Sequence, residues 1–466
     1  MRILYVLHTF PPEGKGGTEL YALGLLKALQ PGHEVAVFYR SANRFRPEYE
    51  VTQGRYEGIS YTSVNYNFRD FKEFRDTYEN ERIEEIFSSV LARFKPDVVH
   101  VHHLTGLGLG LLPVIREKSQ AAVVLTVHDL WFSCAQGQMM RLDLKRCETI
   151  VPSACAACRI KDLGTPWTTR FWPSVLNRLG LALRADAGRR KLLDFFWSVH
   201  EKYSAFRAPA AARKIEERQM TVLRALEEVD LILLPSQALY RQVVEAGFPE
   251  KKMVLAPKGV DPVSLPDEKK RTSKAFRAAY LGTLIPSKGV HDLIEAFRAL
   301  KAPDASLELH GPFVAYDGFS AYEAALRKMA GKDPRIQIKG AYGREDLPRI
   351  LSGVDLLVVP SLWLENRPLV IEEALRAKIP VAASRLPGMT ELIREGENGL
   401  LFNPGDPADL RRVLELFQAH PDSVLTAPGI GRRGLKTTAE DAAFHDSLYE
   451  RLFSSKKHTS LRLHNP

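Results

Sequence analysis

The chain alternates between short apolar runs and longer segments in which apolar residues recur at helical spacing. Short apolar runs predict buried β-strands, and helical spacing predicts amphipathic helices between them. Such alternation predicts doubly wound sheets with helices on both faces. The predicted strands lie at 2–10, 33–38, 97–103, 122–131 and 229–236 in the first half, and at 278–281, 306–311, 335–340, 354–359 and 380–384 in the second half.

Length and composition limit the class of protein. A chain of 466 residues exceeds one ordinary core and predicts two or three domains. Its 45% hydrophobic and 26% charged residues are typical of a soluble globular protein. No apolar run approaches the roughly 18 residues of a membrane span. The start, Arg2 to Leu7 followed by Pro11-Pro12, is too short for a signal peptide, so we expect a cytoplasmic protein.

The stretch Pro360 to Leu375 connects a predicted strand to a helix predicted to begin near Leu369. Glu365 falls in the loop, and Glu373 lies one to two turns into the helix. Unpaired N–H groups at a helix start attract anions, so a phosphate group could bind beside these two carboxylates. The two acids would then bind hydroxyl groups that flank the phosphate. A solvated helix start, where acids are common, is the alternative interpretation.

This stretch resembles the retaining glycosyltransferases of family four, in which a Glu, seven residues and a second Glu before Ala follow Pro-Ser. Glu365, Glu373 and Ala374 have this spacing after Pro360-Ser361. The resemblance implies that Glu365 contacts the transferred sugar and that Glu373 contacts the nucleotide ribose. It also implies that the donor diphosphate binds to backbone near Pro368, Leu369 and Val370.

A glycine loop at Gly16-Gly17 separates the first predicted strand from a helix expected over 19–29. Glycines at such a turn let backbone approach a phosphate, although they can also serve only as a turn. The spacing differs from the dinucleotide-binding fingerprint, which argues against an oxidoreductase. In the resembled family a Gly-Gly pair at this point approaches the donor phosphates and the acceptor, which implies that role for Gly16 and Gly17.

A second glycine loop opens the second half, where Gly282 follows a predicted strand and Lys288-Gly289 precedes a helix. It resembles the family's phosphate loop, and the resemblance implies that Lys288 neutralises the donor diphosphate. Thr283 stands where the family has Arg, which removes a bidentate phosphate donor that Arg367 could replace. Lys258 stands where Asn is usual before Gly-Val-Asp.

His128 ends a predicted strand, at the edge where open α/β sheets bind ligands. The resembled family commonly has His-Asp at this point, which implies that His128 lies near the acceptor and the reacting carbon. His100 and His102 alternate onto one face of an earlier strand. Because no acidic third ligand lies nearby in the sequence, we expect them to pack at the strand end rather than to bind a metal.

All four cysteines lie within one segment, at Cys134, Cys147, Cys155 and Cys158. In a cytoplasmic protein such a set can hold a structural zinc ion, and a subset of the resembled family has a similar cluster here. A catalytic zinc is not expected, because four sulfur ligands would close the coordination shell. Free thiols and a redox role remain as alternatives, whereas disulfides are disfavoured in a reducing compartment.

The segment 159–224 contains fourteen Lys or Arg against six Asp or Glu, which accounts for nearly all of the net charge of +9. Trp167, Phe171 and Trp172 accompany these cations, a pattern found at membrane interfaces and in helices packed on a domain. No nucleic-acid motif accompanies the charge. An anionic membrane surface or an acidic acceptor is therefore the expected partner, and nucleic acid is not.

The predicted fold is α/β, with two doubly wound Rossmann-like domains that face each other across a cleft, the GT-B fold of the resembled family. We expect an acceptor-side domain at 1–240, with a helical cysteine-containing insertion at 134–224. A nucleotide-sugar-binding domain is expected at 250–430. The remaining segment, 431–466, is expected to form a helix that returns to the first domain.

The resemblance implies a retaining hexosyltransferase that moves a sugar from a nucleoside diphosphate sugar to a glycan or lipid-linked glycan, in cell-surface polysaccharide or glycolipid synthesis. Glu365, His128 and Lys288 are the expected catalytic residues. Positive phosphate contacts would replace a catalytic metal ion, so none is expected.

A catalytically weak protein that binds nucleotide sugar or glycan within a synthesis complex is the alternative hypothesis. Thr283, Lys258 and Met389-Thr390 motivate it, because each departs from the family pattern. Either function is compatible with a cytoplasmic protein that binds peripherally to the inner face of the membrane.

Overall fold

The computed structural model describes residues 1–141, 143–158, 195–196, 198–199, 209–265, 275–316, 319, 321–420 and 436–463. Two separate sheets organise these residues, one built from strands up to Leu255 and the other from strands that begin at Arg277. The aromatic residues Trp167, Phe171 and Trp172 of the predicted basic segment lie outside the described residues.

The first sheet contains eight strands. They are β1 (Arg2–Leu7), β2 (Glu34–Ser41), β3 (Val51–Tyr56), β4 (Ile59–Asn65), β5 (Val98–Val101), β6 (Ala122–Thr126), β7 (Leu231–Leu234) and β8 (Met253–Leu255). The helices of this part are α1 (Gly17–Leu29), α2 (Glu81–Phe94), α3 (Leu111–Lys118), α4 (Pro152–Cys158), α5 (Pro209–Glu227) and α6 (Gln237–Glu245). The spatial order is β3-β4-β2-β1-β5-β6-β7-β8, with β3 antiparallel to β4 and the other neighbours parallel.

The first sheet continues past the predicted domain end at residue 240. Helix α6 extends across that boundary, and β8 then pairs with β7 in parallel, with Leu255 opposite Leu234. The predicted second domain therefore does not begin at residue 250. A strand of three residues has too little periodicity to be assigned to a sheet from sequence.

The second sheet contains six parallel strands. They are β9 (Arg277–Leu281), β10 (Ser306–His310), β11 (Ile336–Gly340), β12 (Leu356–Val359), β13 (Val381–Ser384) and β14 (Gly399–Phe402). Its helices are α7 (Val290–Arg298), α8 (Tyr322–Ala330), α9 (Leu347–Ser352), α10 (Leu369–Arg376), α11 (Pro387–Thr390) and α12 (Pro407–Ala419). The spatial order β11-β10-β9-β12-β13-β14 is that of a doubly wound dinucleotide-binding sheet.

Both sheets are buried on both faces. Along β1, Leu4 and Val6 enter one hydrophobic core, whereas Ile3 and Tyr5 enter another on the opposite face. The strand β9 likewise divides its residues between two cores. Buried parallel strands explain the continuous apolar runs in the sequence, and the two sheets confirm the predicted α/β fold class.

The last helix, α13 (Thr438–Leu463), lies against the first sheet. The Tyr449 hydroxyl group is 3.0 Å from the hydroxyl group of Tyr5 and 2.6 Å from His100 Nδ1. Lys456 Nζ donates to the carbonyl oxygen of Ala121 over 2.7 Å. The chain thus ends on the domain in which it begins. Among the described helices, none combines the length and apolar composition needed to cross a bilayer.

Candidate active site

Each sheet reverses its strand order at one point, and the predicted site residues follow strands at or beside these points. In the first sheet the reversal lies between β1, which precedes Gly16-Gly17, and β5, whose neighbour β6 precedes His128. In the second sheet it lies between β9 and β12, which precede Lys288 and Glu365. Doubly wound sheets bind ligands at such points. The two sides approach each other, because a Cβ at Gly17 would lie 3.7 Å from Leu369 Cδ1.

Three donors converge on one carboxylate oxygen of Glu365. Ser361 Oγ donates to Glu365 Oε1 over 2.7 Å, and Trp363 Nε1 donates over 2.9 Å. Lys288 Nζ forms a short ion pair with the same oxygen. Glu365 is 5% exposed, so these donors replace the water that an ionised carboxylate would otherwise bind. Within the described part of the chain these bonds reach Oε1 alone, which leaves Oε2 available to a ligand.

The loop that carries Lys288 is held against the Glu365 segment. Lys288 ends a short 3-10 helix, Pro286–Lys288, and Gly289 follows with a φ of +66°. A Cβ at Gly289 would lie 1.9 Å from the carbonyl oxygen of Pro360, so only glycine permits this approach. Lys288 Nζ also lies 5.3 Å from the ring centroid of Trp363, a cation–π distance. Local packing therefore fixes the lysine beside the carboxylate.

Gly282 begins the same loop directly after β9. Its N–H group donates to the carbonyl oxygen of His310 over 3.0 Å. The Tyr280 hydroxyl group donates to the carbonyl oxygen of Thr283 over 2.7 Å, which fixes the backbone where the resembled family has Arg. The loop is therefore ordered at Thr283, although that side chain contributes no charge.

Arg367, which we predicted could replace the missing phosphate-binding Arg, pairs with an acid of its own segment. Its Nε forms a short ion pair with Glu372 Oε1, and both side chains are buried. Burial raises the pKa of Glu372, and the Arg367 guanidinium opposes this shift. The structure thus shows Arg367 neutralising a buried carboxylate. A phosphate contact would have to use its remaining guanidinium nitrogens.

Helix α10 begins directly after Pro368, which is its N-cap residue. The N–H groups of Leu369 and Val370 lie in the first turn, where helix geometry provides no intrahelical acceptor. Glu373 lies on the next turn. Burial raises the pKa of Glu373, and the nearby Arg344 opposes the shift. This side of the cleft therefore combines a helix start with a carboxylate that is partly withdrawn from water.

Helix α1 faces it with a second helix start, for which Gly16 is the N-cap. A Cβ at Gly16 would lie 2.6 Å from Glu19 Oε2, so the carboxylate of Glu19 fills the space over the first turn. Burial raises the pKa of Glu19. Glu19 could not be identified as a site residue from its sequence position, because acids are common in the first turn of any helix. Only the folded structure shows that Glu19 is buried beside the predicted donor loop at Gly16-Gly17.

His128 belongs to a set of neutral imidazoles at the end of the first sheet. Its Nε2 lies 2.9 Å from His102 Nδ1, and the two rings stack with centroids 5.1 Å apart. His100 bonds to the hydroxyl groups of Tyr449 and Thr126, at 2.6 and 2.7 Å. Burial lowers the pKa of all three histidines. His128 Nδ1 is buried and has no hydrogen-bond partner among the described residues.

Asn366 connects the two domains beside the site. Its Nδ2 donates to the carbonyl oxygens of Val127 and His128, each over 3.2 Å. Its Oδ1 accepts from Ser236 Oγ over 2.7 Å. The position of Asn366 directly after Glu365 was the one sign in the sequence that it belongs to the site. Its contact with the other domain could not be predicted, because that contact depends on how the domains pack. Asn366 therefore fixes the position of the Glu365 segment relative to His128.

The four cysteines line one cavity of about 30 Å³. Cys155 and Cys158 lie on α4, whereas Cys134 and Cys147 precede it, and none forms a disulfide. Burial raises the pKa of the Cys155 thiol to about 12 and also raises that of Cys158. In the part of the chain that the structure describes, no three His, Cys, Asp or Glu side chains are arranged to hold a metal ion. The structural zinc therefore stays a prediction.

Two family models match the chain. The model described as Glycosyltransferase Family 4 matches residues 15–177, and the model described as Glycosyl transferases group 1 matches residues 265–423. The first match includes Gly16-Gly17 and His128, and the second includes Lys288 and Glu365. The two matched segments thus contain both sides of the candidate site.

Curated relatives match part of the chain. The D-inositol 3-phosphate glycosyltransferase of Corynebacterium efficiens is 27% identical over 260 residues, which are 52% of this chain and 59% of the relative. The amylovoran biosynthesis glycosyltransferase AmsK of Erwinia amylovora is 26% identical over 221 residues, 45% of this chain and 53% of the relative. The matched segments span little more than half the length of these relatives.

Solved structures share the fold over nearly the whole chain. HepE of Anabaena, in complex with UDP and glucose, has a TM-score of 0.58 at 15% identity, covering 99% of both chains. Sucrose-phosphate synthase of Thermosynechococcus elongatus has a TM-score of 0.59 at 18% identity, covering 99% of this chain and 98% of that one. These likenesses establish the two-domain GT-B fold. With the two family matches, they show that the chain belongs to the group 1 glycosyltransferases of family four.

Proposed function

We propose that this protein is a retaining glycosyltransferase that moves a hexose-type sugar from a nucleoside diphosphate sugar to a hydroxyl group of a glycan or lipid-linked glycan. The observation that carries the proposal is the fixed carboxylate of Glu365. Ser361, Trp363 and Lys288 all bind its Oε1 oxygen, so its Oε2 oxygen is free to bind a sugar hydroxyl group. A carboxylate held in one orientation can position the sugar without losing further conformational freedom.

The donor would bind through its diphosphate between the starts of α1 and α10. At the start of α10 the N–H groups of Leu369 and Val370 favour an anion, and Lys288 adds a positive charge. At the start of α1 the diphosphate would take the place that the carboxylate of Glu19 fills. Structures of HepE with UDP and of the catalytic domain of starch synthase IV of Arabidopsis thaliana with ADP support a nucleoside diphosphate as the donor class. Glu373, partly withdrawn from water on α10, would accept hydrogen bonds from the ribose hydroxyl groups.

In the proposed reaction the bond between the anomeric carbon and the leaving phosphate oxygen breaks. The acceptor hydroxyl oxygen forms a new bond to the same face of that carbon, and its proton passes to the departing phosphate oxygen. This front-face displacement retains the anomeric configuration and needs no protein nucleophile. Lys288 and the helix N–H groups stabilise the negative charge that develops on the diphosphate, the role that a metal ion has in other transferases.

His128 would position the acceptor or the sugar through hydrogen bonds. Its pKa is lowered by burial and by the positive charge of Lys258, so the imidazole is neutral at pH 7. Its Nε2 contacts His102, and Nδ1 remains without a partner among the described residues. A neutral ring can donate or accept a hydrogen bond without introducing charge beside the reacting carbon.

We further propose synthesis of a cell-surface polysaccharide or glycolipid as the cellular role. The relative AmsK is named for amylovoran biosynthesis, which supports a polysaccharide product. Arg218 of segment 159–224 is buried and donates to the carbonyl oxygen of Trp131. The other thirteen cations of this segment would bind an anionic membrane surface, which would bring a cytoplasmic enzyme to a lipid-linked acceptor.

Binding without efficient catalysis is the second candidate function. It is favoured by the charges of the donor side, where Lys288 and Arg367 both pair with carboxylates and Thr283 is uncharged. A donor diphosphate would have to compete for these cations. Such a protein would bind nucleotide sugar or glycan within a synthesis complex.

The substitution Glu365→Gln tests the proposed function, because the amide keeps the size of the side chain and removes its charge. We expect turnover of the preferred UDP-, GDP- or ADP-sugar, measured as donor hydrolysis or transfer, to fall at least about 100-fold. Glu415→Gln, on the exposed surface of α12, is the matched control and should leave turnover unchanged. An unchanged rate in Glu365→Gln would reject the catalytic role. Donor binding by the wild type without any turnover would favour the second function.

A further inference from the structure

Lys258 differs from the other cations at the cleft, because it is buried without an ion-pair partner. It is 6% exposed. Among the described residues, Lys258 Nζ has neither a hydrogen bond nor an ion pair. Lys288 and Arg367 do pair with carboxylates, as described above. Lys258 therefore places a positive charge at the cleft, and no carboxylate of the described residues forms an ion pair with it.

The ammonium group of Lys258 lies where both domains meet. Its Nζ is 5.5 Å from the ring centroid of Tyr21, on the second turn of α1. The carboxylates of Glu372 and Glu365, from the second domain, attract it, as does that of Asp129, which follows β6. The charge is thus adjacent to both helix starts that would bind the donor diphosphate.

The backbone around Lys258 is anchored at the start of α13. The N–H group of Gly259 donates to Asp441 Oδ2 over 2.7 Å, and that of Val260 donates to the carbonyl oxygen of Lys436 over 2.9 Å. A Cβ at Gly259 would lie 2.3 Å from the carbonyl oxygen of Thr437. This contact prevents the segment from moving toward α13, so Lys258 is held at the cleft.

A buried ammonium group without a partner costs free energy, which an anion can recover. Burial lowers the pKa of Lys258 to about 8, although the surrounding carboxylates oppose this shift. The group is therefore still mostly protonated at pH 7. Perturbed cations in clefts are characteristic of ligand-binding sites.

We infer that Lys258 is a second cation for the donor diphosphate and supplies the positive charge that Thr283 does not. This inference rests on the proposed transferase function. A nucleoside diphosphate carries negative charge on both phosphates, and Lys288 already shares its charge with Glu365. The ammonium group of Lys258 would donate charge-assisted hydrogen bonds to phosphate oxygens and would stabilise the leaving diphosphate.

The test is calorimetric titration of the full chain with UDP, GDP and ADP and with their nucleosides. For the nucleoside diphosphate that the wild type binds, Lys258→Gln should weaken affinity about tenfold or more, as expected for a lost charged hydrogen bond. Binding of the matching nucleoside should stay unchanged. Lys258→Met should reproduce the loss. The loss of diphosphate affinity in Lys288→Gln serves as the reference for a lysine that binds the diphosphate. Lys27→Gln, whose side chain is 52% exposed, is the surface control and should bind as the wild type does.

The melting temperature of the ligand-free variants separates this role from a structural one. We expect Lys258→Gln and Lys258→Met to melt at or above the wild-type temperature, because each removes an unpaired buried charge. A lower melting temperature with unchanged diphosphate affinity would overturn the inference in favour of a structural lysine. A higher KM for the acceptor with unchanged diphosphate affinity would overturn it in favour of an anionic acceptor. A wild type that binds no nucleoside diphosphate would instead reject the proposed function itself.

Discussion

The two sides of the cleft hold their polar groups in different ways. On the second-domain side, charges occur as buried pairs, Lys288 with Glu365 and Arg367 with Glu372. On the first-domain side, His128 and its neighbours are neutral imidazoles connected by hydrogen bonds and ring stacking. A diphosphate is bound by charge, whereas an acceptor hydroxyl group needs only neutral donors and acceptors. This difference agrees with the proposed transfer from an anionic donor to a hydroxyl group.

The ion pairs of the second-domain side also explain how a proposed anion site can remain folded when no anion is bound. Unmatched cations repel one another and lose hydration when buried, so internal carboxylates stabilise them before the ligand arrives. Ligand binding then exchanges one partner for another. We expect the stability of the second-domain side to fall when a single charge is removed. We expect the stability of the first-domain side to fall when its histidines gain charge.

Zinc at the cysteines would make the largest difference to the stability of the first domain, because it would add a bound metal ion there. Structural zinc sites contribute on the order of 10 kcal/mol to folding in small domains. We expect about one zinc ion per chain in protein purified without chelators, measured by elemental analysis. The double variant Cys155→Ser/Cys158→Ser should lose the metal.

The same samples test the alternatives for the cysteines. Four thiols that react in the native protein, with no bound metal, would contradict the zinc prediction and support free cysteines. The variant Ser89→Ala, on α2 and away from the cavity, should keep the metal and serves as the control for purification losses.

The substitution Arg367→Ala tests the paired charges of the second-domain side. It would leave Glu372, which is fully buried, without its guanidinium partner. We expect the free energy of unfolding to fall by about 3–5 kcal/mol, measured by urea denaturation. Arg385→Ala removes a pair with Glu395 whose side chains are 48% and 42% exposed, and should cost at most about 1 kcal/mol. Equal costs for the two variants would contradict the buried pair.

Acidification tests the neutral imidazoles of the first-domain side. Burial lowers the pKa of His100, His102 and His128, so unfolding takes up protons when the pH falls below the ordinary histidine pKa of about 6.5. The unfolded state then binds more protons, and stability decreases by up to about 1.4 kcal/mol per pH unit for each proton. We expect the melting temperature to fall between pH 7 and 5.5.

Substitutions assign that pH dependence to the buried set. His102→Gln should flatten the dependence, because one of the groups that takes up a proton is removed. His420→Gln changes an exposed histidine and should leave the slope as in the wild type. A melting temperature that rises on acidification would contradict the neutral imidazoles.

The positions of the second-domain residues could be predicted from the sequence, whereas their roles stay predictions that rest on the family resemblance. Strand β12, the loop with Glu365 and helix α10 are consecutive, so spacing alone places their groups on one edge of a sheet. Buried parallel strands appear as apolar runs, which is why the fold class was also predictable. The pairing of Arg367 with Glu372 was not, because the spacing does not reveal whether a side chain turns toward solvent or toward an acid.

The contacts between the domains could not be predicted. Asn366 of the second domain binds the backbone at His128 of the first domain, but the two residues are 238 positions apart. Such contacts depend on the relative orientation of two domains, which local periodicity does not encode. Strand β8 could not be predicted either, because this short edge strand is recognised only by its pairing with β7.

Helix α13 has a consequence for how the cleft can open. Because it returns to the first domain, the chain passes between the domains twice, once after β8 and once before α13. A protein with a single connection could twist as well as open. Two connections leave one easy axis of rotation, the line that joins them. We therefore expect any opening to change the width of the cleft more than its alignment, so that each closure would bring the same side chains of the two domains together.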